Sequence, residues 1–148
     1  MRNPPDPDTF NRIVWSIARQ IPAGRVSTYG QIASMIPEPP GVLPPEFHRW
    51  SAPWVGGAMT AVPGDQDIPW QRVITRQGKI SLPVGSPGAR EQRALLESEG
   101  VIFDDSGRVD FNIVGWEGPD QDWLKQNSLL PPKSLRKDTG DAQQLSLF

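Results

Sequence analysis

Between Ile36 and Pro45 the chain places five prolines and a glycine, and no other feature constrains its fold as tightly. Proline locks φ and has no N–H to donate, so neither a helix nor a sheet can run through such a stretch. The run reads as a stiff loop separating two helical regions. Before it, Phe10, Ile13, Val14, Ile17, Ala18 and Ile21 recur at helical spacing behind Asp6 and Asp8, which suit a capped first turn, and Pro22 with Gly24 ends the segment. This predicts an amphipathic helix of about four turns. Thr28 reads as the N-cap of a short helix, Tyr29 to Met35, with Ile32 and Ile36 on its inner side. After the loop, Ser51 with Ala52-Pro53 predicts a helix running to about Ala61, stopped by Pro63-Gly64. Gly56 and Gly57 cost that helix about 1 kcal/mol each relative to alanine. Close helix packing and close approach to another molecule's backbone both account for the pair.

Farther on, Val73-Ile74, the Arg76-Gln77-Gly78 turn and Lys79-Ile80-Ser81 predict a small hairpin. Pro87-Gly88 opens a helix with Leu95 and Leu96 inward and Gly100 as its C′ residue. Residues 101–103 and 108–111 predict a second hairpin. Beyond Trp116 the composition turns to Pro, Gln, Ser, Lys and Asp, too poor in apolar area to hold an ordered structure. The expected organisation is a mainly α domain with small β-hairpins over 1–117 and a flexible tail over 118–148.

Composition narrows the function classes. With no cysteine there are no disulfides, thiolate metal sites or thiol nucleophiles, and a single His48 forbids a multi-histidine metal centre. No cofactor and no metal are expected. No apolar run approaches the ~18 residues of a membrane span, and no signal peptide is visible, so a cytoplasmic, nucleoid-associated monomer is the expectation. The net charge of −2 is unevenly placed: residues 1–100 hold ten Lys/Arg against nine Asp/Glu, residues 101–148 five against eight. A near-neutral core with an acidic tail implies weak non-specific DNA binding.

Four segments share an order. They are Ile21-Pro-Ala-Gly-Arg-Val-Ser-Thr-Tyr-Gly-Gln-Ile-Ala33, Val55-Gly-Gly-Ala-Met59, Asp67-Ile-Pro-Trp-Gln-Arg-Val73 and Leu95-Leu-Glu-Ser-Glu-Gly100. Together they resemble the DNA-binding domain of the O6-alkylguanine-DNA alkyltransferases over roughly residues 10–111, and the resemblance implies a winged helix-turn-helix DNA-binding domain with the 73–81 hairpin as its wing. In those enzymes the third segment reads Pro-Cys-His-Arg-Val and its cysteine takes the alkyl group from guanine. Here Trp70 stands at the acceptor and Gln71 at the activating histidine, the exchange that marks the alkyltransferase-like proteins.

The resemblance implies a lesion pocket of Trp70, Tyr29, Arg72, Val73 and Ser86. Trp70 offers a π-face on which a flipped base and its substituent can lie, without accepting a carbon. Tyr29 matches the tyrosine that drives nucleotide rotation, and Ser86 the serine facing O6. Arg72 has a structural alternative, bracing neighbouring loops. Thr28, Tyr29, Gln31, Arg49, Pro53, Trp54, Gly56 and Gly57 fall on the implied DNA-binding face. Pro53 occupies the position of the arginine that fills the vacated stack, leaving Arg49 or Trp54 to do so. Gln71 and Glu99 are the remnants of the enzymes' Cys-His-Glu relay, with Glu99 reduced to accepting hydrogen bonds from backbone or Gln71.

The implied function is non-enzymatic recognition of double-stranded DNA containing alkylated guanine, marking it for nucleotide excision repair proteins. Two rivals are an enzyme acting at the same pocket by cysteine-independent chemistry and a helix-turn-helix transcriptional regulator. The absence of Arg, Asn and Gln from residues 52–61 weighs against base-edge readout. Finally, Gln144, Leu145, Leu147 and Phe148 resemble the peptide by which bacterial repair proteins dock on the sliding clamp. Folding of these apolar residues back onto the domain is the alternative.

Overall fold

The computed structural model describes residues 3–136. In chain order these form α1 (Pro7–Ala18), β1 (Ser27–Thr28), α2 (Tyr29–Ser34), α3 (Pro44–Thr60), a 3-10 turn (Trp70–Arg72), β2 (Val73–Ile74), α4 (Pro87–Ser98), α5 (Phe111–Val114) and α6 (Gln121–Gln126). The domain is mainly α, as expected. The Asp6 side chain caps α1 by accepting from the Thr9 N–H at 3.2 Å, and Thr28 caps α2 by accepting from the Gln31 N–H at 3.0 Å.

The core lies where α1, α2 and α3 meet. Phe10, Val14, Ile17 and Ala18 of α1 face Ile32, Val55 and Ala58, all buried. Full burial contributes about 1.5–3 kcal/mol for each of the larger side chains. The Trp15 indole N–H donates to the Ala58 carbonyl at 2.8 Å, tying α1 to the end of α3. A smaller cluster of Val26, Ile74, Leu96, Val101, Val109, Phe111 and Val114 sits beneath α4 and α5.

Four expectations are corrected. Helix α3 begins at Pro44, seven residues before Ser51, because Pro44 and Pro45 occupy its first turn, where a missing N–H costs nothing. Ser51 is buried within the helix, and Pro53 lies inside it on the exposed side. Neither hairpin forms. Val73–Ile74 pairs in parallel with Ser27–Thr28, and the Gln92 side-chain amide donates to the Val73 carbonyl at 3.2 Å. A turn still closes at Thr75–Lys79, with Gly78 at φ +83°, but no strand returns from it. Likewise Asp104 organises a turn to Arg108, while Asp110 caps α5 and draws the chain away from a strand.

Nor does order end at residue 118. Helix α6 is capped by Asp120 and buries Leu124, and the Leu130 N–H donates to the Met35 carbonyl at 2.8 Å. A few well-placed apolar residues, Trp123, Leu124, Leu129 and Leu135, anchor a segment whose average composition is polar. At the end of α4, Gly100 at φ +95° takes the expected C′ role, with the Val101 N–H reaching back to the Leu96 carbonyl. Among the described residues no helix is long and apolar enough to cross a membrane, and no cluster of His, Asp or Glu could hold a metal.

Candidate nucleic-acid interface

Trp70 opens the 3-10 turn that follows Pro69, and is half-buried. It lines a cavity of about 290 Å³ together with Met59, Thr60, Val62, Pro63, Gly64, Gln66 and Ile68. That volume lies at the lower edge of the range for small-molecule sites, roughly 300–1,000 Å³, and suits a single base-sized group. Its walls come from the end of α3 and the loop leading to Trp70. Apart from Met59 and Ile68, which lie in the Val55–Met59 and Asp67–Val73 segments, sequence reasoning singled out none of these lining residues beyond Trp70 as part of a site. A larger concavity of about 810 Å³ is lined by Arg76, Gln77, Gly100, Ile102, Asp104 and residues 108–114, and contains none of the expected site residues.

Behind Trp70 the turn is held by a charged network. The Arg72 guanidinium donates to the Glu99 carboxylate from Nε at 3.0 Å and from Nη2 at 2.9 Å, and to the Ile21 carbonyl from Nη1 at 2.8 Å. Gln71 donates to Glu99 at 2.9 Å, and the Gly24 N–H does so at 3.2 Å. Burial alone would raise the Glu99 pKa. The hydrogen bonds from Arg72, Gln71 and Gly24, with the Arg72 charge, outweigh it and hold the carboxyl below its ordinary value. A carboxylate so held is a poor proton acceptor for activating water, which weighs against cysteine-independent chemistry through Glu99. Gln92, buried on α4, completes the brace by donating to the Gln71 carbonyl at 3.1 Å. It was not foreseen as part of the site, because an isolated glutamine in a helix carries no signal of what it faces.

The remaining expected residues divide. Arg72 braces loops rather than lining a pocket, and the Val73 side chain belongs to the main core. The Ser86 hydroxyl caps α4 by accepting from the Ala89 N–H at 3.2 Å. Tyr29, at the start of α2, is half-buried and its hydroxyl lies 2.8 Å from the Ser81 hydroxyl. Three placements on the DNA face are corrected. Thr28 and Gln31 are fully buried, the latter donating to the Trp116 and Lys133 carbonyls and accepting from Ser27. Trp54 is 4% exposed, wedged edge-on against Phe10 at 5.8 Å, so it is core and no base-filling wedge. Arg49 is exposed, with its guanidinium over the Trp50 ring.

Gly56 is half-buried and Gly57 exposed, and a Cβ added to either meets nothing within 4 Å. Close helix packing therefore does not explain them. Gly57→Ala is expected to stabilise the free protein by about 0.5–1 kcal/mol, through helix propensity, while weakening DNA binding. Thermal melts and a duplex titration check both halves; tighter or unchanged DNA binding would contradict close backbone approach.

Residues 9–101 match the family model described as the DNA binding domain of 6-O-methylguanine DNA methyltransferase. The chain belongs to this family. Among its relatives, the DNA base-flipping protein of Escherichia coli (strain K12) is 36% identical over 109 residues, covering 74% of this chain and 75% of that one. Alkyltransferase-like protein 1 of Schizosaccharomyces pombe is 38% identical over 94 residues, covering 64% of this chain and 78% of that one. The crystal structure of the S. pombe protein in complex with damaged DNA containing O6-carboxymethylguanine superposes with a TM-score of 0.55 at 31% identity, covering 74% of this chain and 95% of that one.

Proposed function

We propose that this chain is a non-enzymatic sensor of alkylated DNA, which binds the duplex from the minor groove, extrudes an O6-alkylguanine and holds it against Trp70. The observation that carries this reading is the half-buried Trp70 at the family's acceptor position, lining a base-sized cavity in a chain without cysteine. An aromatic face supplies stacking energy for a flipped base of about 1–3 kcal/mol, and its carbon framework offers no nucleophile for the alkyl group. The S. pombe relative's complex with O6-carboxymethylguanine DNA supports the same substrate class. Because the lesion survives binding, the complex serves to recruit excision repair proteins. Incubation with an O6-methylguanine duplex, followed by mass spectrometry of both molecules, is expected to find each unmodified. An alkylated protein or a restored guanine overturns the reading.

The peptide Gln144, Leu145, Leu147 and Phe148 lies outside the described residues, and we assign it to a bacterial sliding clamp. Three large apolar side chains within four residues suit a shallow apolar pocket on a partner, with the glutamine amide available to orient the peptide there. Removing residues 144–148 is expected to abolish clamp binding in calorimetry and to leave lesion affinity unchanged. Equal clamp binding by the truncated chain, or a loss of domain stability on truncation, would favour folding back onto the domain.

A further inference from the structure

We infer that the C-terminal segment beyond the family domain supplies a DNA phosphate contact of its own, through Lys133. The inference rests on the DNA-binding function proposed above. The matched family region stops at residue 101, yet Leu130 and Lys133 are tied to α2 and its C-cap, while Leu129 and Leu135 pack on the two core clusters. The Lys133 N–H donates to the Ser34 hydroxyl at 3.0 Å, and its carbonyl accepts from the buried Gln31 amide at 3.1 Å. Both backbone groups of this one residue are thus fixed to α2. Its side chain then runs across Gly30, where the ammonium lies 2.8 Å from the place a Cβ would occupy.

Gly30 adjoins Tyr29, which the family resemblance sets close to a backbone phosphate of the DNA. Among the described residues the ion pairs are Arg72–Glu99, Arg93–Glu97 and Arg136–Glu117, and Lys133 joins none of them. An exposed ammonium, carried on a pinned backbone and left without a carboxylate, is suited to a phosphate as a point charge. Its weight is increased by the scarcity of such groups, since residues 1–100 carry only one more Lys/Arg than Asp/Glu.

Binding of undamaged and O6-methylguanine duplexes by the full chain, across a salt series, tests this. Each phosphate contact contributes about 0.9 to the slope of log affinity against log salt, so Lys133→Gln is expected to flatten that slope by about 0.9 on both duplexes. The affinity deficit is then about 3.5-fold larger at 50 mM than at 200 mM salt. Lys133→Arg is expected to restore the slope. Lys125→Gln, which removes another exposed lysine from the same segment at the end of α6, is expected to leave it unchanged. A wild-type slope in Lys133→Gln, or an equal flattening in Lys125→Gln, overturns the inference while the sensor reading stands. Failure of the wild-type chain to bind DNA at all sinks both.

Discussion

Replacing Glu99 by alanine is expected to lower the folding stability of this domain by about 3 kcal/mol, because it strands the partners of a nearly buried ion pair. The Arg72 and Glu99 side chains are 18% and 12% exposed, so solvent offsets part of the cost and the figure belongs at the low end for buried pairs. Three groups lose their acceptor at once: the Arg72 guanidinium, the Gln71 amide and the Gly24 N–H. The change also loosens the 3-10 turn that carries Trp70. A pH dependence follows from the depressed carboxyl. A folded-state pKa below the unfolded value means the stabilisation is complete above the unfolded glutamate's pKa of about 4.3, and is lost as the pH falls through the folded value. The stability gap between wild type and Glu99→Gln should therefore narrow below about pH 4.3. Urea melts at pH 7 and at pH 3 measure it; a gap that widens on acidification would show that the carboxylate is not what holds the turn.

Trp70→Ala is expected to erase the preference for the lesion at a cost of about 1–3 kcal/mol in binding to damaged DNA, the scale of one base-stacking contact. Undamaged duplex, which places no base in the cavity, should bind almost as before. Stability should fall only modestly, since Trp70 is half-buried at the rim of the cavity and lies outside both core clusters. Fluorescence titration of matched duplexes separates the two effects. A variant that keeps wild-type discrimination would place lesion recognition elsewhere.

What could be read from the sequence were features whose chemistry is local. Asp6, Thr28 and Gly100 announce helix ends through backbone geometry that depends on neighbouring residues alone. Trp70 and Gln71 were legible because their motif fixes their place. What failed depended on the third dimension. Pro44 and Pro45 look like the end of a loop and are the start of a helix, two roles that the same missing N–H permits. Trp54 and Gln31 sit beside motif residues, and only the fold shows that one packs on Phe10 and the other ties the Trp116 and Lys133 carbonyls to α2. Residues 118–136 were misread from average polarity, which hides four apolar anchors spaced to meet the core. The cavity beside Trp70 was invisible for a related reason, since Val62, Pro63 and Gln66 come from a loop without periodicity.

The most direct test of lesion sensing is a competition titration of the full chain with two duplexes identical except for one O6-methylguanine, followed by analysis of the recovered DNA. The expected result is preferential binding of the modified duplex, with the methyl group still on the guanine afterwards. Equal affinity for the two duplexes, or recovery of unmodified guanine, would contradict it.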